Sequence, residues 1–344
     1  MKPIFKCLIL MLLSAPIALH AESYIRKVHH GFAKSQIRAL NITNKFGLVE
    51  ISDTGGDSVT VDARITVKDM SQSRANELLR LIRINVRRDG STLTAETVIA
   101  ESFKTKGNFT IDYRINIPKD RDLTINNKFG NVVLQDLTGE GNFTIGYGNL
   151  TAGNMNSSAG SPFWLDLSYG KADIGSLNKM KGLVKYSKIF VGTAGSMEMD
   201  TKYSGLDVRK LGELKLESRY DGISVDEIAT IFAGSKYTNY NIGKLGKSMV
   251  LNTEYGSVRI DQVDPGFSGI EITNSYGGIT IGLNNADYLL DAQCDYCDIK
   301  YPDGRFRGNR IRENHSFSLQ GTIGSGNGKK VTIRSRYGGI NLGN

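Results

Sequence analysis

An aromatic residue returns every 17–22 residues over the last two thirds of this chain. Each time it is followed by a turn-forming residue and then by two aliphatics separated by one position. GYGNLTA, KYSGLDV, RYDGISV, EYGSVRI and RYGGINL are examples. The recurring residues are Phe129, Tyr147, Tyr169, Tyr186, Tyr203, Tyr220, Tyr237, Tyr255, Tyr276, Tyr296, Phe317 and Tyr337. A fixed period near 20 marks a solenoid, in which each repeat adds one coil to a continuous core. Three and five residues after the aromatic stand pairs such as Leu150 and Ala152, Ile189 and Val191, Leu206 and Val208, and Ile223 and Val225. Four before it come Phe143, Leu165, Met199, Leu216 and Leu251. Such alternation predicts strands with one buried face. Its phase changes at the residue after the aromatic, where Gly148, Ser187, Asp221 and Gly277 can take a sharp corner.

The expected fold is therefore all-β, a parallel solenoid of about twelve coils stacked at the strand spacing. By parity the aromatics point inward, as a structural ladder stacked in the core or at the corner. An antiparallel sandwich would show turn signals every 8–12 residues without preserving these columns. The rung at Phe317 breaks the rule, with Glu313 four before and Gln320 three after. It is expected to be a distorted coil that caps the stack.

The first third is built differently. NITNKFGLVEI, around Phe46, repeats the slot filled by INNKFGNVVL around Phe129, but the two aromatics lie 83 positions apart. The insert contains the strand SVTVDARITV. Ala75, Leu78, Leu79 and Ile82 then predict a helix over 71–82, with Ser71 or Ser73 as its N-cap. A hairpin over 83–99 turns at Asp89-Gly90, and a further strand over 109–118 stops at Pro118. Residues 22–122 thus read as a first coil plus a small α+β cap. They precede the repeats of 123–344 and cover an edge that would otherwise invite aggregation.

Residues 1–21 have Lys2 and Lys6, a short apolar run and Ala21, which is the layout of a cleaved secretory signal peptide. Its removal leaves 41 cations against 35 anions, a net charge of +6, with no transmembrane segment expected. It also leaves Cys294 and Cys297, a close pair that favours a local disulfide in an oxidising compartment. The chain is expected to be periplasmic, cell-surface or extracellular.

The segments ITNKFGLVEI, the helix with its hairpin, INIPKDRDLTINNKFGNVVL and the aromatic rungs together resemble the DUF4097 family of adhesin-like bacterial envelope proteins. The resemblance spans residues 37–344. It implies a right-handed parallel β-solenoid and brings no catalytic residue with it.

The search for chemistry is short. The sequence has no HExxH, no spaced Cys/His cluster, no G-x-S-x-G and no phosphate loop, so neither a cofactor nor a metal is expected. His29-His30 reads as a solvated start to the first strand. Asp166, Asp200 and Glu217 share one outward column. That pattern reads first as charge pairing on a solvated sheet, and it leaves a β-helix polysaccharide lyase or hydrolase as an alternative.

Two basic features bear on binding, and each also reads as a solvated face, an anti-aggregation row in the first case and a solubilising cap in the second. Lys185, Lys202, Arg219 and Lys236 precede the aromatic in four successive rungs and should form an outward row. Arg305, Arg307, Arg310, Arg312, Lys329, Lys330, Arg334 and Arg336 lie in a window with Glu313 as its one acid. This window carries +7, while the rest of the secreted chain sums to −1. Such a field suits an anionic polysaccharide or another acidic envelope component. Nucleic acid is not the expected partner, because the chain is exported and lacks interleaved aromatics for reading bases. A structural envelope component that binds another protein is the remaining alternative.

Overall fold

Seventeen residues suffice for one complete turn, and the body of the protein is wound from such turns. The computed structural model describes residues 23–283, 286–326 and 328–343. The expected signal peptide lies outside them. The body runs through β8 (Asp122–Lys128), β9 (Val132–Leu137), β10 (Gly141–Gly146), β11 (Asn149–Met155) and β12 (Phe163–Ser168). It continues through the long bent strands β13 (Lys171–Lys185), β14 (Lys188–Lys202), β15 (Gly205–Arg219), β16 (Gly222–Lys236) and β17 (Asn239–Glu254). It closes with β18 (Val258–Val263), β19 (Gly269–Ser275) and β20 (Ile279–Ile281).

Each long strand pairs in parallel with the next at a constant offset of 17 residues from β13 to β16. Pairing lapses at Gly175/Gly192 and again at Asn178/Gly195, and there the coil bends. The third corner is at the aromatic. Inward columns run unbroken along the stack, as in Met180, Met197, Leu214, Ile231, Met249 and Ile270, all at most 2% exposed. Burying each such side chain contributes about 1.5–3 kcal/mol, so the stack is held mainly by apolar burial.

At the corner, Gly148, Gly170, Gly277 and Gly338 sit where an added Cβ would fall 1.9 Å from a carbonyl oxygen of the adjacent rung. Only glycine lets the rungs approach there. In the 17-residue rungs Ser187, Ser204, Asp221 and Thr238 occupy this slot, and their side chains turn inward to hydrogen-bond.

The stack makes about nine turns, fewer than the twelve expected. One of the twelve, at Phe317, is no rung, because β24 (Ser316–Ile323) runs antiparallel to its neighbours. The N-terminal rung, β2 (Ala39–Lys45) and β3 (Val49–Ser52), is preceded by β1 (Ser23–Ala33). It leads into β4 (Ser58–Lys68), α1 (Gln72–Arg80), β5 (Ile82–Asp89), β6 (Thr92–Ile99) and β7 (Phe109–Asn116). There β6 and β7 add in parallel to the outer edges of β2 and β3, and β5, β4 and β1 follow antiparallel. Ser71 caps α1 by accepting from the Arg74 amide, and Ala75, Leu78 and Leu79 face the core.

The C-terminal end comprises β21 (Tyr288–Asp295), β22 (Ile299–Lys300), β23 (Phe306–Glu313), β24 (Ser316–Ile323), β25 (Lys330–Arg336) and β26 (Ile340–Asn341). Spatial order departs from chain order here. β25 lies between β19 and β21, parallel to both, and β24 then β23 cover the outer edge of β21 antiparallel.

Candidate functional site

The aromatics face outward, contrary to the parity expectation. From Phe129 to Tyr337 the rings of the ladder are 42–51% exposed. Every member, Phe46 included, has φ between 51° and 64°. The aromatic is itself the left-handed residue at the corner, so the phase flips one residue earlier than the alternation suggests. A side chain in that conformation costs about 1–3 kcal/mol. Ring stacking returns roughly 0.5–1.5 kcal/mol per pair, and each ring of a row has two partners. Centroids follow one another at 4.7–5.1 Å from Phe46 through Phe129, Tyr147 and Tyr169 to Tyr276.

At the C-terminal end the row continues in spatial order, Tyr276, Tyr337, Tyr296, and then His315. Phe317 does not belong to it. Its ring is buried in β24 beneath the Arg312 guanidinium, 4.1 Å from the ring centre. Because each ladder ring has its faces covered by neighbours, a sugar cannot stack on them. Only ring edges and phenolic oxygens are presented.

Beneath the row runs a polar seam. Asp221, 6% exposed, accepts hydrogen bonds from Thr201 Oγ1 at 2.7 Å, Ser218 Oγ at 2.6 Å and the amides of Ser204 and Arg219. Ser335 Oγ donates to the Gly338 carbonyl across the bend of its own rung. In the rung of Tyr296 a Cys294–Cys297 disulfide spans the same two columns.

Beside the row stand the cations. Lys185, Lys202, Arg219 and Lys236 are register neighbours on four consecutive rungs. The ammonium of Lys202 lies 5.5 Å from the centre of the Tyr203 ring, and Lys236 pairs with Glu254 at 3.0 Å. The same column continues through Ser275 to Arg336, which lies over Tyr337. Like charges directly opposite on neighbouring strands are destabilising. Folding alone gives no reason for such a row.

The acids form the next outward column. Asp166, Leu183, Asp200, Glu217 and Gly234 are in register. All of these but Asp166, with Trp164, Lys181, Glu198, Lys215 and Phe232, line an open groove of about 690 Å³. Lys181 and Glu198 pair there at 2.9 Å. Asp200 and Glu217 thus project side by side from one flat sheet, among lysines. Among the described residues no group of three His, Cys, Asp or Glu could hold a metal ion. His29 Nδ1 lies 2.7 Å from Asp62 at the N-terminal edge.

The eight C-terminal cations do not form one free patch. Arg305 pairs with Asp287, Arg310 with Asp303, Arg312 with Asp298 and Arg334 with Asp291, at 2.6–2.9 Å. Arg310 also covers Phe306, and Lys329 donates to the Pro265 carbonyl. Arg307 and Lys330 are exposed. The four aspartates precede the basic window in sequence, so a count confined to that window misses them. From residue 287 to 336 there are nine cations against six acids.

No known family pattern matches the chain, and no curated protein matches it by sequence. Comparison with solved structures gives matches at low identity. A candidate cell-adhesion protein of Clostridium sporogenes is 11% identical, with 94% of this chain and 99% of that chain covered and a TM-score of 0.19. A candidate adhesin of Bacteroides fragilis is 12% identical over 74% of this chain and 96% of that one, with a TM-score of 0.35. A candidate lipid-binding protein of Parabacteroides distasonis is 11% identical over 74% and 95%, with a TM-score of 0.32. Among the described residues no helix is long and apolar enough to cross a membrane, which says nothing of β-barrels.

Proposed function

We propose that this chain is an exported, non-catalytic β-solenoid of the DUF4097 kind that binds a linear acidic polymer, an anionic polysaccharide of the envelope or matrix. The polymer lies along the row of Lys185, Lys202, Arg219 and Lys236, beside the tyrosine edges. The observation that carries this reading is the register of the four cations, held one strand spacing apart at a cost to stability. A polymer carrying a charge on every unit meets such a row at repeated points, and phenolic oxygens beside it offer hydrogen bonds to hydroxyls. Arg336 stands in the same column, whereas Arg307 and Lys330 are exposed six residues away along the strands, at the far end of β25. The apolar segment and Ala21 within residues 1–21 support export.

The test is a binding titration with a polyuronate at several salt concentrations. Substituting Lys185→Gln, Lys202→Gln and Arg219→Gln together should abolish most of the affinity and flatten its salt dependence. Arg307→Gln with Lys330→Gln should have a smaller effect. Unchanged affinity in the triple variant rejects the row as the site.

A further inference from the structure

At the C-terminal end one rung is out of place in the chain. Residues 330–342 follow the cap hairpin β23–β24 in sequence, yet they lie inside the stack. β25 pairs along seven residues with β19 on one side and with β21 on the other, parallel to both. The turn is likewise bonded on both sides: the Tyr276 amide donates to the Arg336 carbonyl, and the Tyr337 amide donates to the Asp295 carbonyl. Tyr337 is stacked between Tyr276 and Tyr296 at 4.9 Å from each. Val331 and Ile333, both 0% exposed, fill core columns that would otherwise be interrupted.

We propose that this rung is exchangeable, and that the slot between β19 and β21 in one molecule accepts residues 330–342 of a second copy of the chain. Everything the slot recognises belongs to those residues: two ladders of parallel hydrogen bonds, four inward aliphatics (Val331, Ile333, Ile340 and Leu342) and one stacked ring. The same segment from another molecule satisfies it identically, which is the condition for strand exchange. Both walls are paired on their far sides without the filler, β19 by β17 and β21 by β24. The outer wall keeps its bend through the Cys294–Cys297 bond. The segment leaves the cap through Gly324, Gly326 and Gly328, all at positive φ between 64° and 77°. A glycine connector takes a new path at little steric cost. Exchange is slow, because both ladders must open before the segment leaves, and the exchanged pair is favoured by protein concentration.

The test uses full-length chains. Glu271 and Thr332 are register neighbours across one wall of the slot. Glu271→Cys and Thr332→Cys proteins, mixed, warmed to permit opening, cooled and oxidised, should yield a covalent heterodimer. Glu198→Cys mixed with Lys215→Cys, register neighbours on consecutive body rungs, should yield none. Equal yields in the two mixtures overturn the proposal. As a second readout, a fluorescent peptide of residues 329–344 should enter the wild-type protein under the same regime. It should be refused by the Glu271→Cys/Thr332→Cys double variant once oxidised, because that bond locks the rung in its own slot. Labelling of both proteins, or of neither, also overturns it; the latter would mean that the empty slot closes by direct pairing of β19 with β21.

Discussion

The two ends of the solenoid solve the same problem by different means. At the N-terminal end the first rung is covered from outside by strands that come later in the chain, and a helix packs Ala75, Leu78 and Leu79 into the same continuous core. A buried hydrogen-bond network joins the parts. Thr97 Oγ1 donates to Asn44 Oδ1 at 2.9 Å, lies 2.8 Å from the Tyr113 hydroxyl, and Asn44 donates to the Ile111 carbonyl. Burial pushes the Tyr113 phenol up to about 12. At the C-terminal end the cover is a single hairpin, and its outer strand β23 is exposed along most of its length. Guanidinium groups over Phe306 and Phe317, with Asp298 and Asp303 behind them, seal it. The C-terminal cover thus adds to its buried Phe306, Phe317, Leu319 and Ile323 an outer layer of surface electrostatics, which salt and acid weaken.

The sharpest way to break this comparison is in the N-terminal core. Leu78→Ala should destabilise the whole protein by about 2–5 kcal/mol, the range for a large buried side chain removed. Denaturant unfolding measures this, and a loss confined to local fraying would show that the cap does not support the stack. In the middle, Tyr203→Ala should cost about 1–3 kcal/mol, because two stacked pairs of roughly 0.5–1.5 kcal/mol each are lost while the left-handed strain stays. Tyr203→Gly should cost less than Tyr203→Ala, since glycine relieves that strain; the reverse order would contradict the account of the corner.

Replacing Cys294 and Cys297 by serine should cost roughly 2 kcal/mol by the loop-closure argument for a short loop. Hydrogen exchange should locate the change in residues 288–342 and leave the N-terminal amides protected. Arg312→Gln should cost less again, about 0.5–1 kcal/mol, and the difference from wild type should shrink in high salt.

The smallest effect is that of pH. Hydrogen bonding from Arg312 holds the Asp298 carboxyl below its ordinary 3.8, and the Ser325 hydroxyl, with Arg305 nearby, does the same for Asp287. A lowered folded value means that the contribution is whole above 3.8 and is lost as pH falls through the folded pKa. Acid should therefore increase exchange in β23 and β24 before it does so in β6. Simultaneous opening of both ends would remove the distinction drawn here.

The repetitive part of this molecule was open to reading because its columns repeat. Met199, Leu216 and Leu251 each announce the same inward position, and an antiparallel sandwich would not preserve that spacing. The direction of the tyrosines was hidden because one left-handed residue reverses the alternation, and Tyr is not a residue that advertises such a conformation. The inserted rung was hidden for a related reason. RYGGINL obeys the rule as well as its neighbours do, so nothing in it reveals which rung it lies beside. Glu313 and Gln320 did mark the break, and they belong to the hairpin that pushes the following strand back into the stack. The binding surface was legible in part. The row from Lys185 to Lys236 follows from register alone, whereas Arg310, Arg312 and Arg334 find their carboxylates only through folding.

A strand placed inside the stack but made after its neighbours has a consequence for how the molecule is completed. As the chain is synthesised or threaded through a pore, coils can wind up in order as far as Ile281. The next stretch must then be set one place too far out, and the vacancy filled afterwards. The segment from Val331 to Leu342 acts as a keystone: until it arrives, two raw edges face each other across a gap, and vectorial winding alone cannot finish the protein.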